Sequence, residues 1–159
     1  MTNKELTVII TTFKSEEKIE SCLDSIDTNI KVIVVENSNN HKFKKYIENK
    51  YSNIECLLTN ENLGYGKANN IGLKKATTKY CLVLNPDTVL EKEAIENFFS
   101  SAKKNKNFYI IAPLQIKDEF SKKNNFKGDF NLLETEQVEG FAMFLNMEKF
   151  FDIGFFDEN

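Results

Sequence analysis

Asp87 is the acid best placed for chemistry in this chain, because it closely follows the apolar run at residues 80–84. Only Asn85 and Pro86 stand between the run and the acid. A proline fixes its own backbone and favours an extended conformation for the residue before it, so the two polar side chains can point the same way around a ligand. A second acid, Glu36, ends another apolar run. Two acids in one cleft could form a carboxylate pair for hydrolysis or hold a divalent cation, and the residue types alone leave both open.

The elements that must position these acids follow from the apolar pattern. Short apolar runs predict buried strands at residues 6–11, 30–36, 54–60, 80–85 and 108–116. Apolar residues at helical spacing predict helices between the strands, the first of them after Ser15 as its N-cap. Strands that alternate with helices imply right-handed crossovers, so the predicted fold class is α/β with a mainly parallel central sheet flanked by helices.

Polar residues follow four of the predicted strands at the point where each strand ends. They are Thr11-Thr12-Phe13, Glu36-Asn37-Ser38, Asn60-Glu61-Asn62 and Asp87. Residues of these types also collect in loops because they cap helices and form turns, so each cluster alone is ambiguous. Ligands of open parallel sheets bind beyond the carboxyl ends of the strands, and the coincidence of four clusters therefore favours a site at one rim.

A diphosphate ligand would explain why an acid stands at this rim. Placing a phosphate charge about 4 Å from a bare carboxylate costs on the order of 4 kcal/mol at an effective dielectric of about 20. A cation between the phosphate and the carboxylate makes the electrostatic energy favourable. Mg²⁺ or Mn²⁺ commonly takes one or two protein carboxylates, with phosphate oxygens as further ligands. We therefore expect Asp87 to bind Mg²⁺ or Mn²⁺ beside a diphosphate.

Composition excludes several other classes of protein. The chain has 159 residues, a formal charge of −3 and scattered lysines without any arginine, which argues against nucleic-acid binding. One histidine and three separated cysteines argue against a zinc site and predict core thiols in a reducing compartment. No apolar stretch reaches the ~18 residues that a membrane span needs. The expected location is the cytoplasm, with peripheral association at the inner face of the membrane left open.

The alternation of strands and helices stops after residue 116. Residues 117–137 are polar and aperiodic, which predicts either an ordered excursion or a mobile flap. A further strand is predicted at residues 138–147, followed by a short helical turn at 148–152. The chain ends three residues after Phe155-Phe156, an ending typical of a fragment cut inside a motif.

Five segments resemble, in order, successive blocks of the family-2 glycosyltransferases, and most closely their rhamnosyltransferase-like branch. They read TVIITTFKSEEKIESCLDSI, KVIVVENSNN, NENLGYGKANNIGLKKA, YCLVLNPDTVL and VEGFAMFLNMEKFFDIGFFDEN. The resemblance implies a Rossmann-like GT-A fold in one domain, incomplete in its C-terminal part. Residues 1–116 would be the nucleotide-sugar-binding half, and residues 117–159 the start of the acceptor-binding portion.

The resemblance also implies an activity. A hexosyltransferase of this family moves a sugar with inversion from a UDP-, dTDP- or GDP-linked donor to a saccharide or lipid-linked acceptor, usually with Mg²⁺ or Mn²⁺. The segment that carries the general base would follow residue 159, so no catalytic residue is assigned within this chain, which could bind donor without turnover. Asp157-Glu158 matches the element before that segment, and we expect Asp157 to be structural.

Residues with roles at the donor are implied only where this sequence matches the family's blocks. Asp87 would bind the metal, and Asn85 would face the ribose or the metal shell. Glu36 stands where the family usually has an aspartate near the nucleoside, and Lys14 stands where it usually has asparagine. The implied nucleotide-sugar-binding residues are Thr11, Phe13, Glu36, Asn37, Gly64, Lys67, Asn70, Asn85, Asp87 and Gly140.

Three other classes of protein share parts of this pattern. A nucleotidyltransferase shares the sheet and the metal-binding acid, but it usually carries a glycine-rich loop after the first strand, where this chain has TTFKSEE. A non-catalytic nucleotide-binding module is the second. A dehydrogenase is disfavoured because the glycines at 64, 66 and 72 follow the third strand and do not fit the spacing G-x-G-x-x-G.

Overall fold

A computed structural model describes residues 3–114 and 134–158 of the chain. The predicted excursion at residues 117–137 lies outside the described residues except for its last four, and so do residues 115 and 116 of the predicted fifth strand. The described strands are β1 Leu6–Thr12, β2 Lys31–Glu36, β3 Ile54–Leu58, β4 Tyr80–Leu84, β5 Ile110–Ile111 and β6 Ala142–Asn146. The described α-helices are α1 Glu16–Asp24, α2 His41–Lys50, α3 Tyr65–Lys75, α4 Ala94–Lys104 and α5 Met147–Asp152.

The strands form one mixed sheet in the order β3-β2-β1-β4-β6-β5. The first four strands in this order are parallel neighbours, which confirms the predicted parallel half and its helical crossovers. β6 runs antiparallel to β4 and separates it from β5. The carboxyl ends of β1, β2 and β4 therefore share one edge with the beginning of β6.

The prediction of a long fifth strand that continues the parallel alternation is wrong. Of residues 108–114, which the structure describes, only Ile110 and Ile111 form a strand, and they pair antiparallel with β6 at the margin of the sheet. Phe108 is buried in the core but lies outside the strand, and Pro113 has no N–H for a further ladder bond. β6, which comes later in the chain, occupies the place beside β4.

The core has one layer on each face of the sheet. Along β1, Val8 and Ile10 pack towards α1, α2 and α4, whereas Ile9 packs towards α3 and α5. Cys22, Cys56 and Cys81 are free and buried, and burial raises the pKa of each thiol to about 12, so they behave as the predicted core thiols. Of the described helices, the longest have 11 residues, and none could cross a membrane.

Gly72 brings α3 unusually close to the sheet. A Cβ atom at this position would lie 2.6 Å from Cγ2 of Ile9 and 3.0 Å from Cγ2 of Val35. Only a glycine allows the helix axis to approach two strands at this distance without displacing their side chains. This contact fixes α3 against β1 and β2, so that its first turn lies at the edge where the parallel strands end.

Candidate functional site

The turn after β4 is held by the segment that enters β6. The backbone N–H of Asn85 donates to the carbonyl of Phe141 at 3.0 Å, and the hydroxyl of Thr88 donates to the same carbonyl at 3.2 Å. The N–H of Thr88 closes the turn on the carbonyl of Asn85 at 3.1 Å. The sequence Asn-Pro-Asp-Thr thus forms a fixed turn at the rim of the sheet.

Asp87 projects from this turn and is exposed. Within residues 3–114 and 134–158 it forms no ion pair. The pKa of the Cys22 thiol is raised mainly by burial and also by the negative charge of Asp87. Because Cys22 belongs to α1, the Asp87 carboxylate lies near this helix. An exposed carboxylate without a cationic partner in the described part of the chain is available to a ligand at the rim.

Glu36 departs from its expected position, because its side chain does not face the open rim with Asp87. Its exposed fraction is 0%, and it lies on the face of β2 that packs towards α1 and α2. One carboxylate oxygen accepts a hydrogen bond from the Ser38 hydroxyl, whereas the other, Oε2, has no partner among the described residues. Thr12, its register partner on β1, has a buried hydroxyl that likewise lacks one. The strand register, which buries this face, overrides the usual preference of a carboxylate for solvent.

Burial raises the pKa of the Glu36 carboxyl, and the nearby Glu16 acts in the same direction against the hydrogen bond from Ser38. A carboxyl whose pKa is raised by folding contributes stability below its unfolded pKa, which is about 4.3, and loses that contribution as the pH rises through the folded value. The folded state therefore binds more protons than the unfolded state in this window.

We expect Glu36→Gln to become more stable relative to the wild type as the pH rises from 4 to 8, by up to about 1–3 kcal/mol, the cost of an unpaired buried polar group. Urea unfolding across this range measures the difference. Glu20→Gln is the matched control, and it should become less stable relative to the wild type as the pH rises. The reason is that hydrogen bonds from Lys50 and Tyr46 lower the pKa of Glu20. A pH-independent difference for Glu36→Gln would contradict the assignment.

Asn37 organises the loop that leads into α3. Its Oδ1 accepts from the N–H of Leu63 at 3.0 Å and from the hydroxyl of Thr59 at 3.2 Å. Its Nδ2 donates to Oδ1 of Asn62 at 2.9 Å. Gly64, the N-cap of α3, has a φ of +80°, a conformation that favours glycine. The hydrogen-bonding groups of the Asn37 side chain are thus engaged within the protein, and they hold the loop before α3 in place.

A chain of hydrogen bonds crosses the rim through two residues that sequence reasoning did not select, Asn69 and Tyr65. The hydroxyl of Thr11 donates to Oδ1 of Asn69 at 2.8 Å, and Nδ2 of Asn69 donates to the carbonyl of Tyr65 at 3.0 Å. The hydroxyl of Tyr65 donates to the carbonyl of Gly140 at 2.9 Å. The sequence carried only a weak signal for Asn69: adjacent helical residues such as Asn69 and Asn70 point about 100° apart, and tertiary packing decides which of them faces the rim.

Asn70 does not face the rim. It is 1% exposed, and its amide exchanges two hydrogen bonds with the backbone of Phe156, at 2.8 and 3.0 Å, and donates to Glu158 at 3.0 Å. Gly66 lies under the same segment, since a Cβ there would be 2.5 Å from the carbonyl oxygen of Asp157. Its side chain thus anchors the segment after α5, and its expected role at the nucleotide stays a prediction. Lys67, in the same turn, is exposed.

Phe13 and Lys14 form the loop after β1. The ring of Phe13 is 39% exposed, and the ammonium of Lys14 lies 5.2 Å from its centroid. Lys14 has a φ of +53°, a left-handed conformation that asparagine tolerates better than most residues. This backbone gives a physical reason for the asparagine that the family usually has there.

Gly140 has room for a side chain within the described protein. The nearest atom to a built Cβ is the hydroxyl oxygen of Tyr65 at 3.8 Å, an ordinary contact. No packing constraint among the described residues thus requires a glycine at this position.

The oxygen atoms that the protein offers at the rim suit a hard cation whose other ligands are phosphate oxygens and water. The described residues contain no group of three or more His, Cys, Asp or Glu side chains that could enclose a metal. Asp87 supplies an exposed carboxylate on the turn after β4, and Glu61, in the loop after β3, is exposed as well. Mg²⁺ and Mn²⁺ tolerate such a set when phosphate oxygens and water complete the shell, so the residues present fit this class of ion.

Comparison with known proteins gives one family match. The model of Glycosyl transferase family 2 matches residues 7–154. The low-salt glycan biosynthesis hexosyltransferase Agl10 of Haloferax volcanii is 29% identical over 113 residues, covering 69% of this chain and 36% of that protein. The teichoic acid poly(glycerol phosphate) polymerase of Staphylococcus epidermidis is 31% identical over 118 residues, covering 69% of this chain and 16% of that protein. The chain thus spans about a third or less of these relatives.

Solved structures share the fold. The mannosyltransferase PcManGT from Pyrobaculum calidifontis, in complex with GDP-Man and Mn²⁺, aligns with a TM-score of 0.80 at 16% identity, covering 98% of this chain and 48% of that one. S. aureus TarS 1-349 in complex with UDP-GlcNAc aligns with a TM-score of 0.71 at 18% identity, covering 96% and 48%. The predicted Rossmann-like GT-A fold is confirmed, with an antiparallel edge formed by β6 and β5.

Proposed function

Because the chain belongs to glycosyl transferase family 2, we propose that its protein transfers a sugar from a nucleotide-diphospho-sugar to a saccharide or lipid-linked acceptor. The observation that carries this proposal is the exposed Asp87 on a turn fixed at the carboxyl edge of the parallel strands. The relatives named for glycan biosynthesis and teichoic acid support the acceptor class. The rhamnosyltransferase-like branch stays a prediction.

The described residues would form most of the donor side of the reaction. Thr11 and the exposed ring of Phe13 would flank the base, and Asn37 and Gly64 would shape the pocket wall through the loop before α3. Lys67, Asn85 and Gly140 would lie near the diphosphate and the sugar. Residues 1–116 would thus be the nucleotide-sugar-binding half, and residues 117–159 would begin the acceptor-binding portion.

Asp87 would hold Mg²⁺ or Mn²⁺, which when bound supplies positive charge against the departing diphosphate. PcManGT, the structural neighbour solved with Mn²⁺, supports this choice of ion. In a single inverting displacement the acceptor oxygen forms a bond to the anomeric carbon, the bond to the diphosphate breaks, and a general base takes the hydroxyl proton. We assign that base to no residue of this chain.

The neighbours bind donors with different bases, GDP-Man and UDP-GlcNAc, so the donor here is proposed as UDP-, dTDP- or GDP-linked. A lipid-linked acceptor would bring the protein to the inner face of the membrane from the cytoplasm.

The test is a thermal-unfolding panel of UDP, dTDP and GDP and of the corresponding triphosphates, each with Mn²⁺ or with EDTA. A ligand at 100 times its dissociation constant adds about 2.7 kcal/mol, which for a chain of this size raises the melting temperature by roughly 5–10 °C. We expect such a rise for at least one diphosphate, and only with Mn²⁺. A preference for the corresponding triphosphates would instead favour a nucleotidyltransferase, and no response to any nucleotide would refute the proposal.

A further inference from the structure

Tyr65 connects two parts of the rim that are distant in the chain. It is the first residue of α3, and its hydroxyl donates to the carbonyl of Gly140, 75 positions later, at 2.9 Å. The next carbonyl, that of Phe141, accepts from the N–H of Asn85 and from the hydroxyl of Thr88. Residues 140 and 141 are thus bound on one side by α3 and on the other by the turn that carries Asp87.

The other end of this connection is anchored in the core. Asn69 binds the backbone carbonyl of Tyr65 and the hydroxyl of Thr11, and its side chain is fully buried. Gly72 holds α3 against β1 and β2 one helical turn beyond Asn69. The position of the Tyr65 ring is therefore set by a rigid helix, and its hydroxyl transmits that position to residue 140.

The properties of the two partners make this hydrogen bond important for the turn. The Tyr65 ring is 45% exposed and lies 6.5 Å from that of Phe156, and burial raises the pKa of its hydroxyl, which remains a donor at neutral pH. Gly140 has no side chain of its own to pack, and a glycine backbone has the largest conformational freedom to lose. Residues 138–140 lie outside β6 and are exposed. The hydrogen bond from Tyr65 restricts the backbone of Gly140.

We infer that Tyr65 is a positioning residue that fixes the Asn85–Asp87 turn relative to the loop after β1, and so sets where a diphosphate and its cation meet Asp87. The ligand part of this inference rests on the proposed function, whereas the structural part does not. A diphosphate that binds the loop after β1 and α3 through its nucleoside can reach Asp87 only if the two halves of the rim keep a fixed separation.

Tyr65→Phe tests the structural part, because it removes the hydroxyl and keeps the ring. We expect hydrogen–deuterium exchange at the N–H groups of Asn85 and Thr88 to accelerate by about two- to tenfold, the effect of one lost hydrogen bond. Exchange within β1 and β2 should stay unchanged. Tyr51→Phe is the matched control. It removes a hydroxyl that donates to Asp24 at 2.8 Å, between the C-terminal ends of α1 and α2 and away from the rim. Unchanged exchange at Asn85 and Thr88 in Tyr65→Phe would overturn the inference.

Calorimetric titration with the diphosphate that responds best, in Mn²⁺ and in EDTA, tests the ligand part. We expect Tyr65→Phe to weaken binding about two- to tenfold in Mn²⁺ and to leave any metal-independent binding unchanged, with Tyr51→Phe equal to the wild type. An equal loss under both conditions would mean that Tyr65 contacts the nucleoside, and no loss would mean that it positions nothing. Each result would overturn the inference while the proposed function stood. If the wild type binds no nucleotide, the proposed function fails and the ligand part fails with it, whatever the exchange experiment shows.

Discussion

Asp87→Ala should abolish the Mn²⁺-dependent stabilisation by a nucleoside diphosphate and leave the stability of the unliganded protein nearly unchanged. The side chain is exposed and forms no ion pair with another described residue, so its removal should change the free energy of unfolding by no more than about 0.5 kcal/mol. A carboxylate about 4 Å from a cation is worth on the order of 4 kcal/mol per charge pair near a protein surface. Affinity in Mn²⁺ should therefore fall by at least about 100-fold.

The measurement is the same titration in Mn²⁺ and in EDTA, carried out on three variants. Asp87→Asn keeps the shape of the side chain and one oxygen ligand, so its affinity should lie between those of the wild type and Asp87→Ala. Asp152→Ala removes an exposed acid that follows β6 at the opposite edge of the sheet, and it should behave like the wild type. If Asp87→Ala binds as tightly as the wild type in Mn²⁺, this acid holds no cation and the proposed donor site is misplaced.

The position of Asp87 could be predicted because its signals are local. An apolar run of about five residues gives the strand, the proline ends it, and parallel strands carry their polar successors to one edge. The same reasoning placed Thr11 and Asn37 at the carboxyl ends of β1 and β2, where the structure has them. Each of these inferences needs only residues that are neighbours in sequence.

The surroundings of two predicted site residues, Asn70 and Glu36, depend on partners far along the chain. Asn70 binds Phe156 and Glu158, 86 and 88 positions away, and no local sequence pattern predicts contacts over such separations. The burial of Glu36 follows from which face of β2 packs on α1 and α2, and a single strand does not specify that face. β6 enters the sheet beside β4 from beyond residue 134, so the short antiparallel β5 could not be foreseen from the regular alternation before it.

Glycine illustrates the same limit within one segment. Three glycines between residues 64 and 72 resemble a phosphate-binding loop when only their types are considered. In the structure each has its own cause: a left-handed N-cap at Gly64, the carbonyl of Asp157 above Gly66, and two strands beneath Gly72. The first cause is conformational and the other two are close contacts, which depend on tertiary packing.

Gly72→Ala should lower the free energy of unfolding by about 1–3 kcal/mol, although alanine is the better helix former by roughly 1 kcal/mol. The added methyl group would lie 2.6 Å from Cγ2 of Ile9 and 3.0 Å from Cγ2 of Val35, and both side chains are buried with 0% exposure. Because β-branched side chains have few χ1 alternatives, neither methyl can rotate away, and α3 must move out from the sheet. Thermal unfolding should show a melting temperature lower by roughly 2–12 °C.

Two further variants separate the close contact from a general effect of alanine at a glycine. Gly140→Ala makes the same change where the nearest atom is 3.8 Å away, and it should be neutral or slightly stabilising, since alanine restricts the unfolded chain. Ile9→Ala removes the methyl that lies closest to position 72 and leaves a cavity there. In the double variant with Gly72→Ala, the methyl group added at position 72 would occupy the cavity left by Ile9→Ala, and the shortened side chain at position 9 would remove the clash. The combined loss of stability should therefore be smaller than the sum of the single losses by at least about 0.5 kcal/mol. Strictly additive losses would show that the approach of α3 to β1 does not determine the requirement for glycine.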